Sequence, residues 1–211
     1  MARLVNAGLA VGMVLGLTSA AQAAVTVTQG ASAPTYATTL NFDEVGGPTG
    51  EVTGSEWSAI GLSSLIGGAG VQVVNQFNTG PGMFWLGEGN AFGAPWGAFM
   101  TFSNDLTAFS CQYWDTSGPA TMMGGGAIVV ALSNGVEVGS LFITDPAWGG
   151  VGDTWVNIVA DGGSTFDEIR LVGFGFFPEA YADNMSWDAV PAPAGAALLG
   201  LGGLAMARRR R

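Results

Sequence analysis

The chain has 211 residues, 16 of them acidic and six basic, and a net charge of −10 without any histidine. All the acidic residues but only one basic residue, Arg170, lie between residues 24 and 189. So acidic a surface repels phosphate backbones and excludes nucleic acid as a partner. Without histidine, the chain can build no Ser-His-Asp triad, no imidazole metal site and no ordinary neutral-pH general base.

The first 23 residues have the three parts of a secretory signal peptide. Arg3 supplies the positive n-region, residues 9–17 form the apolar h-region, and Ala21-Gln22-Ala23 has the small-x-small form that signal peptidase accepts. We therefore expect signal peptidase to cleave after Ala23 and residues 24–189 to be exported as one domain.

The sequence of the exported domain predicts an all-β fold. Alternating or apolar β-prone runs recur between glycine-rich breaks, and helical periodicity is nearly absent. Short strands at this spacing predict a sandwich or a barrel, and we expect a single antiparallel, jelly-roll-like β-sandwich. The predicted strands are 37–42, 71–77, 83–86, 98–102, 106–114, 127–132, 137–143, 155–160, 168–174 and 181–187.

Two local features of the predicted strands each predict a defined structure, a hairpin turn and a buried thiol. Asn134-Gly135 accepts the positive φ angles of a tight turn, so the runs on either side should form a hairpin. Cys111 is the one cysteine, so it forms no intrachain disulfide, and it shares a strand face with Phe109 and Tyr113. This pattern favours a buried, inert thiol over a reactive or intermolecular one.

The first and last predicted strands carry oxygen-bearing side chains. Asp43 and Glu44 end the first, and Asp183 and Asn184 lie in the last. This arrangement resembles jelly-roll modules of exported bacterial proteins, and the resemblance implies that the two strands lie side by side. Carboxylate and amide oxygens suit calcium, so these four residues are a candidate structural Ca²⁺ site. The alternative is that they are turn residues bonded to their own backbone.

Two of the seven tryptophans lie among turn formers, where a large ring is more exposed than on a strand. They are Trp96, in Gly93-Ala-Pro-Trp-Gly, and Trp148, in Asp145-Pro-Ala-Trp-Gly. Sugar-binding modules stack such rings on pyranose faces. In this chain we expect groups such as Asn90 and Asp145 to supply the hydrogen bonds to the sugar. The alternative is that both rings cap the ends of the sandwich. The remaining tryptophans are assigned to the core or its rim: Trp57, Trp85, Trp114, Trp155 and Trp187.

The last 22 residues, 190–211, combine a proline-marked boundary, an apolar run and a cationic end. The apolar run has 14 residues, fewer than the roughly 17 to 25 of an ordinary spanning helix. Terminal arginines can snorkel toward headgroups and favour the cytoplasmic side, so a short transmembrane helix remains feasible. The sequence signals are Val190-Pro191-Ala192-Pro193-Ala194 and the cluster Arg208, Arg209, Arg210 and Arg211.

This tail resembles the PEP-CTERM family of bacterial sorting signals, in its VPxPA-type variant, since Ala192 stands where the type form has glutamate. The resemblance implies processing by an exosortase-type membrane protease. The protein would then be anchored transiently in the inner membrane and released to the cell envelope or the extracellular space. A plain tail anchor without proteolysis is the alternative.

The sequence therefore predicts a non-enzymatic cell-envelope or matrix protein that contacts polysaccharide. One rival is a carboxylate-based glycoside hydrolase or lyase, with a pair drawn from Glu56, Glu88 and Asp115. The other is a purely structural surface protein. We assign no catalytic residue and, apart from the candidate Ca²⁺, no cofactor.

Overall fold

The structure, a computed structural model, describes residues 24–43, 49–68, 70, 72–75, 90–115, 126–143, 154–174 and 179–190. Apart from one 3₁₀ turn, Ser58–Ile60, the regular elements of these residues are β-strands. The strands are β1 Val25–Gly30, β2 Thr38–Leu40, β3 Thr49–Glu51, β4 Leu62–Gly67, β5 Gln72–Asn75, β6 Asn90–Pro95, β7 Ala98–Asp115, β8 Gly126–Ser133, β9 Val136–Ile143, β10 Thr154–Ala160, β11 Phe166–Phe174 and β12 Glu179–Ala189.

The 18-residue strand β7 belongs to both layers of the structure. Its first part, 98–102, pairs with β4 on one edge and β11 on the other, and β8 and β9 extend this first sheet. Its second part, 106–115, lies between β10 and β12 in the second sheet. There β1 extends the sheet beyond β10, while β2 and β6 lie along the far edge of β12. The strand pairs between these elements are antiparallel, and the all-β sandwich predicted from the sequence is confirmed.

The core lies between the two sheets and is rich in aromatic rings. Phe42 makes edge-to-face contacts with Trp57 and Phe92, with ring centroids 5.1 and 5.5 Å apart. At the other end of the core, Phe102 meets Trp187 in the same way at 5.4 Å. Such pairs add about 0.5–1.5 kcal/mol beyond the burial of their area. The assignment of Trp57 and Trp187 to the core is confirmed, at 5% and 1% exposed.

The predicted strands compare well with the observed ones. β8 and β9 form the expected hairpin, with φ of 51° at Asn134 and 78° at Gly135 and with Ser133 paired to Val136. Two predicted strands, 98–102 and 106–114, are continuous as β7. The prediction missed β1, β3, β4 and β6, and its strand 83–86 lies outside the described residues.

The signal peptide, 1–23, and all of the C-terminal signal 190–211 except Val190 lie outside the described residues. Across the ranges that the structure does describe, we find no helix with the length and apolar character needed to cross a membrane. Just after the exported domain, the backbone N–H of Val190 donates a hydrogen bond to the carbonyl of Asp105 at 2.7 Å.

The edge strands β1 and β9 close one side of the sandwich, and Gly139 sits where they meet. A Cβ added at Gly139 would lie 2.5 Å from the carbonyl oxygen of Val25. We therefore expect Gly139→Ala to lower the free energy of unfolding by about 1–3 kcal/mol, as overpacking does. Chemical denaturation followed by tryptophan fluorescence measures it.

Gly30→Ala is the matched control, because its added Cβ would meet only Ser32, at an ordinary 3.4 Å. It should stay within about 0.5 kcal/mol of the parent protein. Equal effects of the two substitutions would contradict the close approach of β1 to β9.

Candidate functional site

Trp96 lies in the turn that carries the chain from β6 in the second sheet to β7 in the first. The N–H of Gly97 donates to the carbonyl of Ala94 at 3.2 Å and closes this turn. Trp96 is 58% exposed. Its φ of 65° is left-handed, a backbone region in which a bulky residue is a true outlier. The position would be filled more easily by glycine or asparagine.

Trp96 and Asn90, both predicted to contact sugar, are not brought together. They stand at opposite ends of β6, about 20 Å apart at roughly 3.3 Å per residue, so one sugar unit cannot touch both. Trp148 and Asp145, the other two members of the predicted sugar site, lie outside the described residues.

Asn90 instead meets Asp43, which lies three residues past the end of β2. The backbone N–H of Asn90 donates to Asp43 Oδ1 at 2.8 Å, and its side-chain amide donates to the carbonyl of Phe42 at 3.3 Å. Asp43 Oδ2 accepts from Asn41 Nδ2 at 3.3 Å. Asp43 Oδ1 thus ties the segment after β2 to β6, whereas Oδ2 bonds within that segment.

The first and last predicted strands do lie side by side. Leu40 of β2 is paired with Met185 of β12, within two residues of Asp183 and Asn184. Asp183 is 3% exposed, whereas Asn184 is exposed, and Glu44 lies outside the described residues. Among the residues described, no three Asp, Glu or Cys side chains are placed to hold a metal ion together. The calcium site, which would also need amide ligands, stays a prediction.

A β-bulge sets the unusual position of Asn184. The pairing of β12 with β7 shifts by one residue between Asp183 and Ser186, and Asn184 has a φ of 48°. Its amide Nδ2 donates to Gln112 Oε1 at 3.0 Å and to Asp183 Oδ2 at 3.2 Å. A bulge re-aims a side chain, and here it places the amide of Asn184 on the outer face of the second sheet.

Residues 34–37, which we call the strap, cross the outer face of the second sheet. The hydroxyls of Ser110 and Ser186 are 2.8 Å apart, and Ser110 Oγ donates to the carbonyl of Pro34 at 2.7 Å. The N–H of Tyr36 donates to Ser186 Oγ at 3.0 Å, and its phenol donates to Asn157 Oδ1 at 2.7 Å. These bonds hold the strap across β7, β10 and β12.

A groove with a volume of 480 Å³ runs beside the strap. Leu40, Met185 and Ser186 are buried members of its lining, and the other lining residues are exposed or partly exposed. The lining residues include hydroxyl- and amide-bearing types and one tryptophan. They come from the strap, β2 and the residue after it, β10 and β12: Thr35, Thr39, Leu40, Asn41, Trp155, Asn184, Met185 and Ser186. The volume is within the range of about 300–1,000 Å³ that small-molecule pockets occupy.

Trp155 was assigned to the core or its rim, and sequence reasoning did not identify it as a groove residue. The structure leaves it partly exposed on the outer face, opposite Gln112 and Gly30. The signal was present in the alternation of β10, where Val156 and Ile158 face the core and Trp155 and Asn157 do not.

Glu56, one candidate for a catalytic carboxylate, binds its own turn. Its carboxylate accepts from the N–H and hydroxyl of Thr53 at 2.7 and 2.9 Å and from the N–H of Gly54 at 2.9 Å. Burial raises the pKa of Glu56, but these hydrogen bonds outweigh it and leave the pKa below its ordinary value. A general acid needs the opposite shift. Glu88 and the side chain of Asp115 lie outside the described part of the chain.

Cys111 is fully buried, as predicted, in the core with Phe109 and Tyr113. Burial, together with the nearby carboxylate of Asp183, raises the pKa of the thiol far above its ordinary value. Because the thiolate is the reactive form, Cys111 is chemically inert in the folded protein.

No protein-family profile matches the chain, and no curated protein is similar to it in sequence. Among solved structures, it is similar to a family 6 carbohydrate-binding module, at 19% identity and a TM-score of 0.33, over 67% of this chain and 93% of the module. It is also similar to CsCBM6-3 from Clostridium stercorarium, solved in complex with cellobiose. That likeness has 18% identity and a TM-score of 0.34, over 69% of this chain and 99% of the other.

The bond between Tyr36 and Asn157 gives the strap a pH dependence. Burial, as the larger cause, and the carboxylate of Asp188 raise the pKa of the phenol. The folded protein therefore holds this proton more tightly than the unfolded chain, where tyrosine titrates near pH ~10. The stability that this proton supports is complete below about pH 10 and is lost as the pH rises through the folded-state pKa.

We expect Tyr36→Phe to cost about 1 kcal/mol of unfolding free energy at pH 7, the value of one hydrogen bond. The difference between parent and variant should shrink above about pH 10, where the parent loses the phenolic proton. Urea unfolding at pH 7, 9 and 10.5 measures both. A difference that is constant with pH would contradict this role of the phenol.

Proposed function

We propose that the chain is an exported, non-enzymatic protein of the cell envelope or extracellular matrix that contacts polysaccharide through its β-sandwich. The observation that carries the proposal is the ring of Trp96, exposed at the end of the sandwich on a left-handed backbone. That conformation costs roughly 1–2 kcal/mol for an ordinary residue. A strained position that keeps its bulky side chain in solvent supports a role outside the fold itself.

The charge of the domain supports a neutral sugar as the partner. A pyranose presents C–H bonds on its flat face, which can pack on an exposed aromatic ring. The domain is strongly acidic and has one arginine, Arg170. Its guanidinium lies 5.7 Å from the ring centre of Phe99 and bonds Glu168 at 2.6 Å. The long-range charge thus opposes anionic ligands and leaves neutral glycans as the better match.

The delivery route belongs to the same proposal. Signal peptidase removes residues 1–23, and the tail from Val190 holds the domain in the inner membrane until an exosortase-type protease releases it. Among the described residues, the bond from the N–H of Val190 to the carbonyl of Asp105 ties the first residue of this tail to the sandwich. A transient hold also suits an apolar run of 14 residues, too short for a comfortable permanent anchor.

Trp96→Asn separates binding from stability. Asparagine accepts a left-handed φ, so the variant should unfold within about 1 kcal/mol of the parent, relief of strain offsetting lost ring contacts. In native gels that contain a neutral polysaccharide, the variant should migrate as fast as it does in gels without the polysaccharide. Electrophoresis in parallel with thermal melts measures both quantities.

Trp96→Phe is the control for an aromatic face, since it keeps a flat ring at the same strained position. It should retain a measurable part of the retardation. If Trp96→Asn migrated like the parent protein in every gel that retards the parent, the contact through Trp96 would be refuted.

Mass spectrometry of the protein from its native host tests the delivery route. The mature chain should begin near Ala24 and should lack the apolar run and the four arginines, ending close to Pro193. A chain that still ends at Arg211 would overturn processing and favour the plain tail anchor.

A further inference from the structure

The groove beside the strap has the lining of a binding site for a neutral, hydroxyl-rich ligand. The exposed residues that line it include Thr35 and Thr39, which carry hydroxyls, and Asn41 and Asn184, which carry amides, and none of its lining residues is charged. The indole of Trp155 lies among these groups and is partly exposed. An aromatic ring among hydroxyls and amides matches the mixed apolar and polar surface of a sugar ring.

The polar groups of the groove are held in place before any ligand arrives. Asn184 is bonded to Gln112 and Asp183, and Ser186 is bonded to Ser110 and to the strap. Asn41 is fixed by mutual bonds with Asp43 at 3.3 Å. Groups already ordered lose little entropy on binding, so a site built from them can hold a weakly interacting ligand.

The electrostatics select among sugars. The carboxylates that bond groove residues are Asp43, which is exposed and bonds Asn41, and Asp183, which is 3% exposed and bonds Asn184. Arg170, the one basic residue of the exported domain, is on β11 in the other sheet. A uronate or sulfated chain would therefore meet negative charge without a compensating cation, whereas a neutral chain meets no such penalty.

We infer that the groove is a second carbohydrate subsite, which binds a segment of a neutral polysaccharide with Trp155 against the face of a sugar ring. The inference rests on the proposed function and adds the class of ligand and a separate place of contact. The groove lies about 17 Å from the Trp96 turn, since five residues of β12 separate Asn184 from Glu179, the partner of Pro95. One extended polysaccharide could engage both positions.

The test is affinity electrophoresis of the purified protein in native gels. One set contains neutral polysaccharides (a mixed-linkage glucan, a galactomannan and dextran), and the other contains polygalacturonate and alginate. We expect retardation in at least one neutral gel and none in the acidic gels. Trp155→Ala should weaken the affinity about tenfold or more, as truncation of a central aromatic contact does.

Two further variants make the result specific. Asn184→Gly suits the φ of 48° at this position and removes the whole side chain with its amide, so it should fold and lose affinity as well. Phe142→Ala is the matched control, because Phe142 is an aromatic residue 48% exposed on the first sheet, away from the groove. It should bind like the parent, and thermal melts of all variants confirm folding.

Each outcome decides one point. Parent-like affinity of folded Trp155→Ala and Asn184→Gly overturns the groove, and it leaves the proposed function standing if Trp96→Asn still abolishes retardation. Loss of affinity in the groove variants but not in Trp96→Asn supports the groove alone. The groove is also overturned as a binding site if Phe142→Ala loses as much affinity as the groove variants do. The same holds if acidic gels retard the parent protein as much as neutral gels do. A parent protein that no polysaccharide retards removes both the groove and the proposed function.

Discussion

The pairing of β7 along both of its edges, in both sheets, is the constraint on which the rest of the sandwich depends. Its first part hydrogen-bonds β4 and β11, and its second part hydrogen-bonds β10 and β12. Between them the chain must leave one sheet and enter the other, and there its side chains Ser103, Asn104 and Asp105 are exposed. Because buried peptide groups need hydrogen-bond partners, β7 fixes the register of every strand beside it. The positions of the Trp96 turn, the bulge and the groove follow from those registers.

The same polar triplet explains where sequence analysis succeeded and where it failed around β7. Ser103-Asn104-Asp105 reads as a break between two strands, and the apolar alternation on either side was assigned correctly. Continuity through the break depends on partners far away in sequence, such as Ala189 and Phe166, which both pair with Leu106. A local pattern carries no information about such partners.

Other missed strands have local causes that can be named. In β4 the pairing shifts between Leu62 and Ser64, so the buried Leu62 and Leu65 are three residues apart and the period of two is lost. In β6, Ala91 to Ala94 are all buried, so no alternation exists to detect. β1 did show alternation, Val25-Thr-Val-Thr, and could have been found. The groove could not, because the bulge at Asn184 and the strap across Ser110 and Ser186 arise only from tertiary pairing.

The sandwich has two ends, and the features tied to delivery and to binding lie at different ones. Val190 leaves β12 beside Asp105, whereas Trp96 follows Pro95, which pairs with Glu179 at the start of β12. The 11 residues of β12 separate these two places by roughly 33 Å, at about 3.3 Å per residue. In the proposed route, a tail that holds the domain in the membrane by its Val190 end directs the Trp96 end away from the bilayer. The exposed ring would then face the extracellular polymer while the chain is still anchored, so contact with a polysaccharide need not wait for proteolytic release.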